Sequence, residues 1–151
     1  MKRIVIRLIY CFFLVSFLFT QNKLKFSAET VESAQDNGVT MNLFKNNVQI
    51  EDANRVLYAD LAIQIPDSNK VILSGDVRMY ENSDSLKCDE LTILQNKENI
   101  YYAKGNVILK DSLRMVYGDN LSIEYKNDLI NKLTISSNAR IYNNQYLKIK
   151  N

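Results

Sequence analysis

From about residue 39 onward, apolar and polar residues alternate in short runs. Val39/Met41/Leu43, Leu57/Ala59/Leu61/Ile63/Ile65, Val71/Leu73 then Val77/Met79, and Leu133/Ile135 then Ala139/Ile141 each set apolar side chains at every second position. Period two places those side chains on one face of a strand and leaves the other face to solvent. Turn-forming clusters separate the runs: Glu51-Asp52-Ala53-Asn54, Pro66-Asp67-Ser68-Asn69, Glu81-Asn82-Ser83-Asp84, Asn96-Lys97-Glu98-Asn99, Lys110-Asp111-Ser112, Lys126-Asn127-Asp128 and Asn143-Asn144. Connections this short join antiparallel neighbours, because a parallel crossover needs about a dozen residues. The pattern predicts an all-β chain of roughly eight strands, each about ten to thirteen residues long, laid down as sequential hairpins.

The runs also repeat. Asn46-Asn47-Val48-Gln49-Ile50, Gly75-Asp76-Val77-Arg78-Met79 and Gly105-Asn106-Val107-Ile108-Leu109 are copies of one element, with a weaker copy at Ser137-Asn138-Ala139-Arg140-Ile141. A second element follows each of the first three: Leu57-Tyr58-Ala59-Asp60, Leu86-Lys87-Cys88-Asp89 and Val116-Tyr117-Gly118-Asp119. Val-to-Asp spacing is twelve residues in all three, and the unit recurs every 29 or 30 residues. A period of this size means stacked supersecondary units.

Strands this long bend, and the repeat indicates where. After Asp60 the apolar series continues at Leu61 and Ile63, whereas after Asp89 and Asp119 it resumes one residue later, at Leu91/Ile93 and Leu121/Ile123. Glu90 and Asn120 therefore read as extra residues that flip the facing and kink the strand, as a β-bulge does. Gly75 and Gly105 mark a matching corner in the partner strands. Hairpins bent at one level fold into a two-layer sheet with an apolar interior. That interior either packs shut, the commoner outcome, or stays open as a groove for an apolar ligand. Val39, Met41 and Leu43 begin this sheet, and Tyr146, Leu147 and Ile149 end it. An open sheet has unpaired backbone groups at both edges, ready for strand addition.

Residues 1–20, MKRIVIRLIYCFFLVSFLFT, break the alternation with a nearly unbroken apolar run behind Lys2 and Arg3. This is the form of a secretory signal. A retained membrane anchor, with Arg7 reaching to the headgroups, is the alternative. Residues 21–37 then read as a linker and 38–151 as the folded domain. Three of the 19 basic residues fall in the first twenty positions, so the formal +2 becomes sixteen bases against 17 acids in the remainder. A basic excess that belongs to a targeting segment gives no electrostatic case for nucleic acid. Export also leaves Cys88 without an intrachain partner, since Cys11 lies in the apolar run; its parity with Leu86 places it in the core as a small apolar residue.

Candidate chemistry is sparse. The chain has no His, which removes Ser–His and Cys–His nucleophile pairs and His ligands to a metal. The recurring Asp60, Asp89 and Asp119 read as corner residues bound to local backbone amides, not as metal ligands. Asp84 with Asp89 and Glu90 is the nearest approach to a carboxylate pair for glycoside hydrolysis, and it reads as a turn plus a solvated corner. The residues predict no catalytic site, no metal and no cofactor.

The repeated element, as Asn47-Val48-Gln49-Ile50 with Leu57-Tyr58-Ala59-Asp60-Leu61-Ala62-Ile63 and its two later copies, resembles the OstA-like domain family of lipopolysaccharide transport. The resemblance spans roughly residues 38–142. It implies a twisted β-jelly-roll in the periplasm, without catalysis, whose interior shields lipid A acyl chains while domains of the LptA, LptC and LptD type join edge to edge. The short apolar run and the regular repeat favour the LptA-like form, cleaved or anchored, and leave a homo-oligomer open. On this resemblance the inward, lipid-facing residues are Val48, Ile50, Leu61, Ile63, Val77, Met79, Leu91, Ile93, Val107, Leu109, Leu121 and Ile123. Val39, Met41, Leu43, Tyr146, Leu147 and Ile149 are then the interaction edges. The competing reading is a structural or adhesive β-solenoid with a closed core, which requires parallel ladders at the repeat period.

Overall fold

A computed structural model describes residues 24–143. The expected signal or anchor and the terminal strand of Tyr146, Leu147 and Ile149 lie outside the described residues. Among those described, no helix is long and apolar enough to cross a membrane.

Ten strands form one open sheet: β1 (Lys25–Ser27), β2 (Thr30–Asp36), β3 (Val39–Asp52), β4 (Arg55–Ile65), β5 (Lys70–Glu81), β6 (Asp84–Gln95), β7 (Asn99–Lys110), β8 (Arg114–Lys126), β9 (Leu129–Ser136) and β10 (Arg140–Asn143). The ladders between them are antiparallel, which overturns the solenoid reading. β3 to β8 are the six long strands, each hydrogen-bonded to its neighbour in sequence. The outer side of β3 carries β2 along Val39–Lys45 and β1 along Gln49–Glu51. In the same way β8 carries β9 along Asn120–Lys126 and β10 along Arg114–Tyr117.

Two expectations about the N-terminal side are corrected here. Residues 25–27 and 30–36, read as linker, are strands. Val39, Met41 and Leu43 are not on an edge, because β2 pairs with that stretch of β3. The segment Thr30–Asp36 has no apolar alternation and is exposed throughout. It is held by backbone pairing and by the Lys45–Glu32 ion pair at 2.7 Å, neither of which leaves an apolar period, so hydrophobic periodicity does not reveal it.

Each long strand bends at its middle, and the extra residue lies where the sequence did not put it. Asn46-Asn47, Gly75-Asp76 and Gly105-Asn106 are each two residues opposite one, facing Asp60, Asp89 and Asp119 in β4, β6 and β8. All six have positive φ, between 43° and 79°. The bulge therefore sits in the odd-numbered strands, not at Glu90 and Asn120. Ser137 and Asn138, with φ of 61° and 55°, make the fourth corner between β9 and β10. Asn, Asp and Gly dominate these positions because they tolerate left-handed backbone.

The corner Asp is fixed by its neighbour's side chain. Asn106 Nδ2 donates to Asp89 at 2.9 Å and Asn138 Nδ2 donates to Asp119 at 2.6 Å. Asn47 donates to Glu29 at the first corner. At the second corner Asp76 has no proton to give to Asp60, and pairs instead with Arg78 and Lys87 at 3.1 and 3.2 Å. The three repeated aspartates thus hold separate corners.

The corners divide every long strand into two halves, and the two half-sheets fold face to face. Phe26 of β1 stacks on Phe44 of β3 with ring centroids 4.6 Å apart, and Arg55 of β4 reaches Tyr125 of β8. Inward parity changes at the corner: Leu86 and Cys88 are buried before it and Leu91 and Ile93 after it. The first unit does the same. Ala59 and Ala62 are buried, so Leu61 and Ile63, predicted inward, turn outward and are half-buried. The Leu-Ala-Ile-Gln-Ile run looks like uninterrupted alternation only because Ala62 is small. Cys88 is in the core, and burial, then the Asp89 charge, pushes its thiol up to about 12. That makes it an inert thiol at neutral pH.

Candidate functional site

The interior is packed through its middle and opens into an apolar-walled groove on its C-terminal side. On the N-terminal side, Leu24 and Phe26 pack on the core next to Phe44. In the middle, Ile50, Leu57, Leu73, Leu91 and Ile93 are fully buried. On the C-terminal side the layers part and leave a groove of about 560 Å³. Its apolar walls are Leu86, Leu109 and Val116 of the first layer and Ile123, Leu133 and Ile135 of the second. Ala139, just before β10, and Ile141 within it complete the first wall. Ile130, Leu133 and Ile141 remain 51%, 40% and 69% exposed, so this side of the sheet is an uncovered apolar surface.

Charged residues of the hairpin tips rim the groove: Glu81, Asp84, Asp111 and Arg114. Asp111 accepts the Leu113 and Arg114 amides at 2.7 Å each and Arg114 Nε at 3.1 Å. Its carboxyl is held below the usual range, first by the Leu113 amide. This structures the β7–β8 turn and fixes the Arg114 guanidinium at the mouth.

The groove ends inward on a polar cluster that the sequence did not announce. Arg55 is fully buried, with Asp52 at 3.1 Å, Asp128 at 3.3 Å and Glu81 at 3.8 Å. Its guanidinium lies over the Tyr125 ring at 4.1 Å, and Tyr101 meets Tyr125 edge to face at 5.1 Å. Tyr101 donates its hydroxyl to Asp52, and Tyr125 donates to Glu81 at 3.0 Å. Burial alone disfavours the Arg55 charge, but Tyr101 and Asp52, then Tyr125 and Glu81, outweigh it and raise its pKa. Asp52, Arg55 and Glu81 come from first-layer tips, whereas Tyr101, Tyr125 and Asp128 come from the second layer. The cluster is therefore a clasp between layers. Locally, Asp52-Ala53-Asn54-Arg55 reads as a plain turn, and only the fold brings the tyrosines to it.

Burial, then the neighbouring carboxylate, raises both phenol pKa values (Asp52 for Tyr101, Glu81 for Tyr125). A raised folded-state pKa stabilises the fold below the unfolded value of about 10, and that contribution is lost as pH climbs through the folded pKa. The urea midpoint is expected to fall above pH ~10, and to fall less steeply in a Tyr101→Phe/Tyr125→Phe variant. Equal slopes in the two proteins refute the coupling.

Of the residues predicted to face the interior, Val48, Ile50, Val77, Met79, Leu91, Ile93, Val107, Leu121 and Ile123 are buried and Leu109 is half-buried. Only Met79, Leu109 and Ile123 among them line the groove. The sequence list stops short of Val116, Ile130, Leu133, Ile135 and Ile141, although the weak fourth copy of the repeat at 137–141 was the available signal. The carboxylates considered for hydrolysis stand apart, Asp84 at a hairpin tip and Asp89 at a corner bound to Asn106.

No protein-family model matches the chain, and no curated protein matches it in sequence. Its structure is similar to LptH, the LptA-homologous periplasmic component of the conserved lipopolysaccharide transport device of Pseudomonas aeruginosa, with a TM-score of 0.64. The match covers 81% of this chain and 95% of LptH at 8% sequence identity. Ten antiparallel strands in one unclosed sheet, bent at a common level and superposable on nearly all of LptH, give this chain the LptA-like, OstA-type β-jelly-roll fold.

Proposed function

We propose that the chain is a non-enzymatic component of lipopolysaccharide export that acts in the periplasm and holds acyl chains of the lipid in the C-terminal groove. The observation that carries this reading is the open, apolar-walled cleft of about 560 Å³ on a fold shared with a lipopolysaccharide transport component. Acyl chains crossing an aqueous compartment need cover, since each CH₂ withdrawn from water contributes about 0.8 kcal/mol. Neighbouring domains of the same fold, of LptC or LptD type or a second copy, would extend this cover by pairing with the free sides of β2 and β9.

A photo-crosslinking residue tests it. At Leu109 or Ile135 it is expected to capture lipopolysaccharide in cells, while at Ile93 in the packed middle and at the outward-facing Thr134 it is expected to capture little. Capture at Thr134 but not at Leu109 or Ile135 sinks the groove reading.

A further inference from the structure

The outer face of the first layer differs in chemistry from its inner face. Register places Tyr58, Arg78, Lys87, Ile108, Tyr117 and Arg140 side by side across β4, β5, β6, β7, β8 and β10. The next row towards the tips contains Tyr80, Ser85, Lys110, Met115 and Tyr142. Aromatic pairs stand at both ends: Tyr58 meets Tyr80 edge to face at 6.1 Å, and Tyr117 meets Tyr142 at 5.5 Å. With strands about 4.8 Å apart, the two pairs are about 19 Å from one another. Four cations lie along this span, and these two rows from β4 to β10 contain no acid. Asp76 on the bordering corner bridges Arg78 and Lys87, whose side chains are still 47% and 60% exposed. An exposed bridge of this kind is weak and exchangeable.

The C-terminal end of the face is a shallow cleft of about 470 Å³ between Ile108, Met115, Tyr117, Arg140 and Tyr142. Asp119 also borders it, but its carboxylate already accepts from Asn138. The cleft and the apolar groove lie on opposite faces of a single strand, β10. In and next to β10, Ala139 and Ile141 face the groove, while Arg140 and Tyr142 face the cleft.

We propose that this outer face binds the phosphorylated saccharide of the same amphiphile whose acyl chains occupy the groove. The assignment rests on the acyl-groove reading above. Exposed tyrosines give sugar rings flat apolar surfaces, and Arg and Lys between them match phosphate groups. An amphiphile seated across β10 would place its chains on the Ala139/Ile141 side and its anionic headgroup on the Arg140/Tyr142 side.

The test uses lipopolysaccharide freed of its acyl chains, titrated by calorimetry at low salt into the protein, with a fluorescent fatty acid reporting the groove separately. The Lys87→Gln/Arg140→Gln variant is expected to bind the saccharide about tenfold or more weakly, a loss of about 1.4 kcal/mol or more, with fatty-acid binding unchanged. The dephosphorylated saccharide is expected to bind wild type comparably weakly. Undiminished binding in the variant overturns the proposal, as does equal binding of the dephosphorylated saccharide. So does inorganic phosphate competing at the same concentration, which would make this a bare phosphate site. Equal weakening by Lys104→Gln/Lys132→Gln on the second layer would reduce the effect to net charge and also overturn it. Loss of fatty-acid binding with saccharide binding intact would instead remove the groove reading and leave the headgroup surface standing.

Discussion

Replacing Arg55 by alanine is expected to destabilise the fold by about 3–5 kcal/mol, a large part of the ~5–15 kcal/mol available to a domain. The reason is what remains behind. Asp52 is 2% exposed and, among the described residues, its Oδ1 has no hydrogen-bond partner even with Arg55 in place. Without the guanidinium 3.1 Å away, that carboxylate loses its counter-charge in a site from which water is excluded. The ring of Tyr125 also loses the cation above it, and Glu81 and Asp128 lose their shared partner. Breaking one member of such a cluster costs more than the cluster contributes, because assembling it already required desolvating every charge. Arg55→Met combined with Asp52→Asn is therefore expected to recover much of the loss, since Asn still accepts the Tyr101 hydroxyl, Glu81 keeps its hydrogen bond from Tyr125, and no fully buried carboxylate is left without a counter-charge. Equilibrium urea unfolding of the wild type, the single variant and the double variant decides it. A single variant within about 1 kcal/mol of wild type would show that the cluster is hydrated and not a sealed clasp.

How far the sequence leads depends on which interactions leave a periodic trace. The long strands β3 to β8 were legible because each buries alternate side chains, and the corner level was legible because Asn/Gly-Asn/Asp recurs in register. A bent, two-layer antiparallel sheet follows from these two signals, and its LptA-like form from the resemblance of the repeated element and the structural match. What stayed hidden was of two kinds. β1 is three residues long, too short for a period, and β2 contributes mainly backbone pairing, since Thr30–Asp36 buries no side chain that would mark it. The Arg55 clasp unites residues 52, 55, 81, 101, 125 and 128 from both layers, and nothing local to any of them encodes the meeting. The site shows the same division. Met79, Leu109 and Ile123 were found by their parity, whereas Leu61 and Ile63 were misplaced because a small residue, Ala62, carries the inward position after the first corner. The groove itself is lined from Met79 of β5 to Ile141 of β10 and so belongs to no single repeat.

The corners allow a second large effect to be separated into its causes. Gly75→Ala is expected to cost about 2–4 kcal/mol, from two sources. Its φ of +79° strains any L side chain, and a Cβ there would lie 2.8 Å from the Asp60 Cβ and even nearer to its carboxylate. Gly38 is the internal control. It has φ of +82° with nothing within 4 Å of a Cβ, so Gly38→Ala carries the strain alone and is expected to cost about 1–2 kcal/mol. Gly105→Ala should resemble Gly75→Ala, because its Cβ would lie 3.0 Å from the Asp89 Cγ. The close approach can then be removed from the other side. Asp60→Gly combined with Gly75→Ala is expected to be less destabilising than the sum of the single variants, since Asp60 is the group struck. Urea midpoints of the five variants measure this directly. If Gly75→Ala and Gly38→Ala cost the same, the corner tolerates a side chain and the repeated glycine serves backbone conformation only. If the cycle instead shows coupling, the Asp and the Gly of the following strand are a single device, which accounts for Asp60 recurring with Gly75 and Asp89 with Gly105.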